Sequence, residues 1–449
     1  MSADFAAPAA NPRPFMCLGV MANGAGNHIA GWRHPDAASG AHNLDLMIEM
    51  ARTAERGVFD LLFFADSLVS GPNVRPAQAA RFEPLTLLSA LARETKHIGL
   101  AATANTTYSE PFNIARLFAS LDHISGGRAA WNVVTGSDGR AAANFGRDAH
   151  LDHDRRYEVA EEYLEVVKGL WDSWDDDAFL LDKQQGRYFD PRKLHRLDHE
   201  GRHFKVAGPL NTARTPQGRP VIMQAGASAA GLDFAARTAE GIFAPNQNLE
   251  EAQAYYRRLK DRAMSYGRRP EEILVLPSLY YIVAPTRAEA LEKRALLDRF
   301  LRETDPVGEL SWRLGHDLSR YSDDDLVPDL PPSNNQQYES ARLMDMARRE
   351  RMTIRQLFEK IAGQDALTDD ILCGTPEDIA DAMERKFRGA AADGFIIQPA
   401  YFPGSLDDFV DLVIPVLRDR GLVRSEYPGG TLRDLLGLPV PASRWAEPA

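Results

Sequence analysis

The sequence predicts an α/β protein with a closed (β/α)8 TIM barrel. Short apolar segments alternate with amphipathic segments about eight times along the 449 residues, which is the order of strands and helices in such a barrel. The predicted strands are almost wholly apolar, as expected for parallel strands buried on both faces. A polar residue follows several of them, namely Asp66, Thr103, Thr135 and Ser228. Because the carboxyl ends of parallel strands meet on one face of a barrel, these side chains are expected to share one site.

The first half of the chain supplies four strand and helix units. Asn43 is predicted to cap the first helix and Gly57 to end it, whereas Pro84 and Pro111 begin the next two helices, where a missing N–H costs nothing. The predicted strands are residues 15–20, 61–65, 98–102 and 129–134, and the predicted helices are 44–56, 84–94, 111–124 and a longer one with an apolar stripe from about 154 to 174.

The second half repeats this pattern around two long interruptions. Residues 175–219 and 302–370 are predicted insertions, and loops of such length are usually functional or mobile. Pro415 is expected to kink the last helix. The predicted strands are 221–225, 241–244, one within 273–283, and 395–398, and the predicted helices are 228–239, 249–265, 286–301, 376–391 and 405–420. The predicted organisation is a flexible tail at 1–14, one barrel domain over 15–440 with the two insertions, and a C-terminal tail at 441–449.

The composition excludes several classes of protein. Hydrophobic residues make up 44% and charged residues 26% of the chain, which is ordinary for a globular protein. The net charge of -12 argues against nucleic-acid and anionic membrane partners. Cys17 and Cys373 lie outside any CxxC pair, so the chain has no framework for redox or zinc chemistry. No signal peptide and no run of ~18 apolar residues is found, and a cytoplasmic protein is expected.

Two glycine-containing patterns resemble known motifs but are incomplete. Residues 24–26 resemble the start of a GxGxxG motif, but Ile29 stands where its last glycine belongs, so a built-in NAD domain is not expected. Residues 226–230 resemble a GxSxG nucleophile elbow that lacks its final glycine. Serine hydrolase chemistry therefore stays only a minor alternative.

Three histidines in the first insertion have the spacing of a helical metal site. His195, His199 and His203 are four residues apart, but Gly201 and the residues that follow it favour a turn and a strand. We therefore expect solvent-facing histidines and no metal site.

The segment 226–228 is better interpreted as an anion site at the start of a helix. Its small residues, including Ala227, allow the main chain to approach a ligand. Ser228 adds a hydroxyl, an N–H and the positive end of the helix. Ordinary capping of the helix by Ser228 is the simpler alternative.

Polar side chains at other strand ends and at the start of the fourth helix extend this candidate site. An imidazole and a phenol four residues apart share one face of that helix, and an arginine between them supplies positive charge for a phosphate. Each of these side chains alone fits a satisfied turn, cap or core position, but together they are typical of a cofactor pocket. The candidates are Thr103, Asn132, Thr135, His153, Arg156 and Tyr157.

Several longer motifs carry a family resemblance. The sequence resembles the bacterial luciferase-like flavin-dependent monooxygenases, with the motifs in the same order along the chain. Within that family it is most similar to the nitrilotriacetate and dibenzothiophene-sulfone monooxygenase branch. The resemblance extends from about residue 15 to residue 440. Its motifs include 61–67 (LLFFADS), 125–135 (SGGRAAWNVVT), 144–146 (NFG), 153–157 (HDRRY) and 224–228 (QAGAS).

The resemblance implies an activity, a cofactor and a partner. It implies a luciferase-like barrel that binds reduced FMN (FMNH2) from a separate NAD(P)H:flavin reductase and uses dioxygen to oxygenate a small N- or S-containing, xenobiotic-like substrate. A homodimer or homotetramer is expected. A deazaflavin (F420)-dependent oxidoreductase of the same fold is the main alternative. The family's flavin-contacting positions correspond to Asp66, Thr103, His153, Tyr157 and Ser228, and the phosphate is expected beside Ser228 and Arg156.

The loop after the first strand supplies a candidate proton donor or base. His28 is the candidate catalytic residue because its imidazole lies close to the end of that strand. His34 either shares this role or holds the loop together through hydrogen bonds. The insertion at 302–370 is the expected lid that excludes water from the flavin.

Overall fold

The computed structural model describes most of the chain. Residues 1–10 and 447–449 of the predicted tails and residues 362–370 of the second predicted insertion lie outside the described part. The residues described are 11, 13–24, 26–38, 41–71, 74, 79–226, 228–245, 248–335, 337–361 and 371–446.

Eight parallel strands close into a barrel, which confirms the predicted fold class. The strands of the described residues are β1 (Cys17–Met21), β2 (Leu61–Phe64), β3 (Gly99–Asn105), β4 (Ala129–Val134), β5 (His199–Glu200), β6 (Lys205–Val206), β7 (Val221–Ala225), β8 (Gly241–Ala244), β9 (Leu274–Val283), β10 (Leu372–Gly374) and β11 (Gly394–Gln398). Around the barrel the order is β1, β2, β3, β4, β7, β8, β9 and β11, and β11 pairs with β1 to close the ring. β10 pairs with the last residues of β9, and β5 and β6 form an antiparallel hairpin.

Helices connect the barrel strands and cover the outside of the barrel. They are α1 (Leu44–Arg56), α2 (Pro84–Glu94), α3 (Pro111–Ser125), α4 (Ala141–Asn144), α5 (His153–Trp171), α6 (Ala229–Thr238), α7 (Leu249–Ser265), α8 (Arg287–Arg302), α9 (Pro306–Leu314), α10 (Gln337–Glu350), α11 (Ile354–Ile361), α12 (Pro376–Arg388), α13 (Gly404–Asp408), α14 (Ile414–Asp419) and α15 (Leu432–Leu436). The side chain of Asn43 accepts the N–H of Leu46 at 3.1 Å, as its predicted capping role requires. The predicted last helix is divided by a π-helical turn at Phe409–Val413, which ends two residues before Pro415, whose nitrogen carries no hydrogen to donate.

The interior of the barrel is filled by apolar side chains and closed at its amino-terminal end. Alternate residues of the strands point inward and form one cluster, which includes Met21, Phe63, Met223 and Leu276. The C-terminal helix α15 joins the same cluster, and a Cβ placed on Gly99 would lie 2.5 Å from Cδ1 of Leu432. Among the described residues, the barrel therefore opens toward a ligand at its carboxyl end.

The second insertion folds into helices that the sequence analysis did not assign. α9, α10 and α11 pack around an apolar cluster of their own, which includes Leu310, Leu343, Leu357 and Phe358. Ile29, from the loop after β1, contributes to the same cluster. The insertion is thus seated on a loop at the carboxyl end of the barrel. No helix in the described part of the chain is both long enough and apolar enough to cross a bilayer.

Candidate active site

A cavity of about 460 Å³ opens at the carboxyl end of the barrel. This volume lies within the range of about 300–1,000 Å³ that is usual for sites of small molecules and cofactors. Eight side chains named by the sequence analysis line it, which are His28, Asp66, Thr103, Thr135, His153, Arg156, Tyr157 and Ser228. Ala227 lies outside the described residues. The barrel thus brings together residues that are 200 positions apart in the sequence, although their roles in binding stay predictions.

Asn132 does not line the cavity. Its side chain is buried in the barrel wall, and Nδ2 donates a hydrogen bond to Oγ1 of Thr103 at 2.9 Å. Asn132 and Thr103 are directly paired in the register of β3 and β4, and Oδ1 of Asn132 is buried without a hydrogen-bond partner. Asn132 therefore orients Thr103 and is itself no lining residue.

Ser228, Tyr157 and Thr135 form one hydroxyl cluster at the start of α6. Oγ of Ser228 accepts the N–H of Gly231 at 3.1 Å, so the simpler capping role is present. Burial raises the pKa of Tyr157, while the neighbouring hydroxyls of Ser228 and Thr135 and the charge of Arg156 lower it. A Cβ on Gly231 would lie 2.8 Å from the Tyr157 oxygen. Glycine at this position therefore permits the close approach of α5 and α6.

Arg156 places a buried positive charge beside this cluster. The residue is 1% exposed, and its Nη1 and Nη2 donate to the main-chain oxygens of Leu151 at 3.2 Å and Asn334 at 3.0 Å. Its Nε has no hydrogen-bond partner, and among the described residues no carboxylate pairs with it. Burial lowers the pKa of Arg156. A buried cation that lacks a carboxylate favours binding of an anion, because the charge is otherwise poorly solvated.

Asp66 and Arg81 lie on the opposite part of the cavity wall, at the end of β2. Burial raises the pKa of the Asp66 carboxyl, while the Ser67 N–H and the charge of Arg81 lower it. Nη1 of Arg81 donates to the main-chain oxygen of Ala65 at 2.9 Å. The sequence analysis missed Arg81, since it stands 15 positions beyond Asp66 in a loop whose path the sequence does not reveal.

His28 is buried in the cavity wall as a neutral imidazole. Its Nδ1 accepts the N–H of Ala30 at 3.1 Å, which leaves the proton on Nε2. Burial, followed by the charge of Arg294, lowers the pKa of His28 to about 4. At neutral pH His28 is therefore a hydrogen-bond donor through Nε2 and does not exist as an imidazolium acid.

His34 plays the structural role named as its alternative. Its Nδ1 accepts the N–H of Asp36 at 3.2 Å, and its ring stacks on Tyr401 with 3.8 Å between the ring centres. The first contact stabilises the loop after β1 internally, and the second holds this loop against the loop after β11.

The second insertion supplies cavity residues that the sequence analysis did not name. Trp312, Asn335, Tyr338 and Glu339 line the cavity. The Glu339 carboxylate accepts a hydrogen bond at 2.7 Å from the fully buried Arg313. The described part of the insertion therefore forms a wall of the site, in the position expected of a lid.

The histidines of the first insertion are paired and are not solvent-facing as expected. His195, His199 and His203 have side chains that are 21%, 14% and 10% exposed, and each imidazole lies within 3.3 Å of a carboxylate of Asp175, Glu162 or Glu158. Two of these carboxylates, Glu158 and Glu162, lie on α5 and hold the turn and strand around His199 and His203 against that helix. In the described residues no cluster has the composition of a metal site.

Sequence comparison decides the family. The family model described as luciferase-like monooxygenase matches residues 25–394. The chain belongs to this family. It is 49% identical to the N-acetyl-S-(2-succino)cysteine monooxygenase of Bacillus subtilis (strain 168), over 96% of this chain and 98% of the relative. It is 45% identical to nitrilotriacetate monooxygenase component A of Aminobacter aminovorans, over 97% and 99%.

A solved structure supports the same assignment. The crystal structure of riboflavin lyase (RcaE) with modified FMN and the substrate riboflavin has a TM-score of 0.84 and 33% sequence identity, covering 95% of this chain and 96% of that one. The predicted membership of the luciferase-like monooxygenases is therefore confirmed.

Proposed function

We propose that this protein is the oxygenase component of a two-component monooxygenase. It binds reduced FMN delivered by a separate NAD(P)H:flavin reductase and uses dioxygen to oxygenate a small organic molecule that contains nitrogen or sulfur. The convergence of Asp66, Thr103, Tyr157 and Ser228 on one cavity carries this proposal. A relative named as component A of a monooxygenase supports the existence of a partner component. A homo-oligomer and a cytoplasmic location stay predictions.

The chemistry of the lining residues fits FMN. Ser228, Tyr157 and His153 supply hydrogen-bonding groups for a phosphate, and Arg156 supplies a buried positive charge. The start of α6 adds the partial positive charge of a helix amino terminus. Asp66 and Thr103 lie at the ends of β2 and β3 and provide polar partners for the flavin ring. A related structure that contains modified FMN supports this cofactor.

Each part of the site has a role in the proposed reaction. Bound reduced FMN supplies the two electrons with which one oxygen atom enters the substrate and the other is released as water. The apolar side chains of Val69, Phe243 and Trp312 line the cavity and limit the entry of water. His28 holds its proton on Nε2 and presents it as a hydrogen-bond donor. These residues bind, orient and protect the reactants.

The names of the relatives suggest the substrates to examine. They include N-acetyl-S-(2-succino)cysteine and nitrilotriacetate, which contain sulfur and nitrogen respectively. A further relative, named dibenzothiophene-sulfone monooxygenase, extends the series to a neutral compound. We propose a substrate of this general size, because the cavity of about 460 Å³ also has to hold the flavin ring.

The test is incorporation of labelled oxygen. The purified protein is supplied with FMN, NADH and a generic flavin reductase, and products formed under ¹⁸O2 are analysed by mass spectrometry. The proposal predicts a product that gains one ¹⁸O atom and whose formation stops without oxygen or without FMN.

Two other outcomes would contradict the proposal. Turnover of a substrate without oxygen, with reduced deazaflavin as the only effective cofactor, would instead support the F420-dependent alternative. Activity that survives removal of all flavin and is lost in Ser228→Ala would support a hydrolase.

A further inference from the structure

Two asparagines of the loop after β1 form a locked pair beside the cavity. Nδ2 of Asn27 donates to the main-chain oxygens of Met21 at 3.1 Å and of Pro399 at 3.1 Å. Only the nitrogen of an amide can donate to two carbonyls, so these contacts fix the orientation of the Asn27 amide and leave its Oδ1 as an acceptor. This Oδ1 accepts a hydrogen bond from Nδ2 of Asn23 at 2.8 Å. The main chain therefore determines the orientation of both amides.

The lock leaves the side-chain oxygen of Asn23 for a ligand. Asn23 lines the cavity. Unlike Oδ1 of Asn132, its Oδ1 is not buried, and among the described residues it accepts no hydrogen bond. Turning the Asn23 amide over would bring its oxygen against Oδ1 of Asn27, which places two acceptors in contact. Asn23 thus presents an acceptor at this position and cannot present a donor there.

The loop that carries Asn23 is packed tightly against the loop after β11. The N–H of Gly26 donates to the main-chain oxygen of Asn23 at 2.7 Å. The N–H of His28 donates to the main-chain oxygen of Ala400 at 3.2 Å. A Cβ on Gly26 or on Gly31 would lie only 2.3 Å or 2.1 Å from that same oxygen. Because the loop is held this closely, the acceptor of Asn23 has little freedom to move away from an unsuitable ligand.

His28 presents the opposite kind of group from the same loop. Its Nδ1 accepts the N–H of Ala30, so the proton stands on Nε2. Nε2 is not buried, it has no hydrogen-bond partner among the described residues, and the side chain lines the cavity. The loop therefore offers one fixed acceptor and one fixed donor. A ligand that satisfies both carries an N–H group and an acceptor oxygen.

Reduced and oxidised FMN differ in what they offer to such a pair. The nitrogen at position 5 of the reduced ring carries a hydrogen, whereas the same nitrogen of the oxidised ring is an acceptor. The carbonyl oxygen next to it is an acceptor in both forms. An amide that rotates freely can bind either form, because it can offer its oxygen or its NH2 group. A locked acceptor is satisfied by the reduced ring and opposed by the lone pair of the oxidised ring.

We propose that Asn23, held in place by Asn27, is the residue with which this protein selects reduced over oxidised FMN. The inference rests on the proposed function, because it places flavin in this cavity. The reduced form gains a hydrogen bond, whereas the oxidised form leaves an acceptor unpaired, and this difference is expected to separate the two affinities about tenfold or more. Such selection favours uptake of the flavin that a reductase delivers and release of the oxidised flavin that remains after the reaction.

The test compares the two redox states of the cofactor in matched variants. Anaerobic titration gives the dissociation constants of oxidised and dithionite-reduced FMN, and the midpoint potential of the bound flavin is measured independently. Asn23→Ala removes the acceptor, and Asn27→Ala releases the lock. Asn335→Ala is the control, because Asn335 is an amide that lines the cavity from the second insertion. The melting temperature of each variant is recorded without flavin.

A flavin analogue identifies the part of the ring that Asn23 contacts. In 5-deaza-FMN a carbon replaces the nitrogen at position 5, so its reduced form has no N–H group there. The other N–H and carbonyl groups of the ring are unchanged. Both redox states of 5-deaza-FMN are therefore titrated into the wild-type protein in the same way as FMN.

The proposal predicts a specific pattern of affinities. The wild-type protein binds reduced FMN about tenfold or more tightly than oxidised FMN and loses this preference with 5-deaza-FMN. Asn23→Ala loses the preference mainly through weaker binding of the reduced form, which lowers the midpoint potential by about 30 mV for each tenfold change. Asn27→Ala loses it mainly through tighter binding of the oxidised form, because the released amide can present its NH2 group. Asn335→Ala keeps the wild-type ratio of the two affinities.

Several results would overturn the proposal. They are equal affinity of the wild-type protein for the two redox states, and an unchanged preference in Asn23→Ala. A parallel loss of affinity for both states in Asn23→Ala, or the same preference with 5-deaza-FMN, would assign Asn23 to another part of the flavin and refute the selection as well. If Asn27→Ala shows no melting transition, Asn23→Ala alone decides.

Failure of this inference is distinguishable from failure of the proposed function. Saturable binding of FMN without a preference for either redox state refutes the role of Asn23 and leaves the proposed function intact. Absence of FMN binding in both redox states would refute the proposed function itself.

Discussion

The main-chain oxygen of Asn334 accepts a hydrogen bond from Nη2 of Arg156 at 3.0 Å. Asn334 belongs to the second insertion, whereas Arg156 lies in the first turn of α5 and lines the cavity. The Asn334 side chain adds two contacts to the same region, since Oδ1 accepts the N–H of His153 at 3.0 Å and Nδ2 donates to the oxygen of Leu151 at 3.2 Å. The insertion and the proposed phosphate site are therefore held together by one residue.

Changing Asn334 is expected to weaken flavin binding. Asn334→Ala removes the contacts to His153 and Leu151, and a loss of about 1 kcal/mol, or about fivefold in affinity for FMN, is expected. Asn334→Asp is expected to bind FMN more weakly still, because it places a negative charge beside the phosphate. Fluorescence titration with FMN measures both effects.

A second amide of the same insertion provides the control. Gln356 accepts the N–H of Thr353 at the exposed start of α11, away from the cavity lining. Gln356→Ala is expected to keep the wild-type affinity for FMN. Equal affinities in all four proteins would show that Asn334 does not support the phosphate site.

Gly231 is expected to tolerate no side chain when flavin is bound. Gly231→Ala should favour helix formation in α6 by up to about 1 kcal/mol, but its Cβ would lie 2.8 Å from the Tyr157 hydroxyl. We therefore expect a reduced affinity for FMN together with a nearly unchanged melting temperature of the protein without flavin. A variant that binds FMN as tightly as the wild type would argue against the hydroxyl cluster as a flavin contact.

His28 is expected to make stability depend on pH in the acidic range. Its pKa is lowered from 6.5 to about 4 in the folded protein, so the unfolded chain binds more protons between these values. The stabilisation from the neutral imidazole is therefore fully present above about pH 6.5 and is lost as the pH falls to about 4.

The free energy of unfolding by urea at several pH values tests this expectation. Its pH-dependent part due to His28 is expected to be on the order of 3 kcal/mol, and His28→Asn should remove that part. The same slope in both proteins between about pH 4 and about pH 6.5 would mean that His28 is not buried as a neutral group.

The contact between Gly99 and Leu432 at the amino-terminal end of the barrel provides a prediction about stability alone. Gly99→Ala would place a methyl group 2.5 Å from Leu432, which is expected to cost about 1–3 kcal/mol. Leu432→Ala leaves a cavity and is expected to cost about 2–4 kcal/mol. The double variant should lose less free energy of unfolding than the two single variants together, because the smaller side chain at position 432 makes room for the methyl group. Strict additivity in urea unfolding would contradict the contact.

The repeating parts of the fold were predictable from the sequence, because local signals define them. Apolar strands, the cap at Asn43 and the prolines at the starts of α2 and α3 are all set by residues within a few positions. The helices of the second insertion were missed because the segment lacks the alternation of strands and helices that identifies the barrel units. Their apolar residues pack mainly on one another, around Leu343 and Phe358.

The strand-end residues of the site were also predictable, but their partners were not. Asp66, Thr103 and Ser228 stand directly after apolar segments, which is a local signal. Arg81 and Asn334 stand in loops, and only the tertiary structure shows that they contact Ala65 and Arg156 respectively. The hydrogen bond from Asn132 to Thr103 depends in the same way on the register of β3 and β4.

An anaerobic titration with reduced FMN tests the central claim most directly. The account predicts saturable binding of one flavin per chain, with affinity reduced at least about fivefold in Tyr157→Phe and in Asp66→Ala, because each variant removes a polar contact worth about 1 kcal/mol or more. Absence of saturable binding in either redox state, or wild-type affinity in both variants, would contradict it.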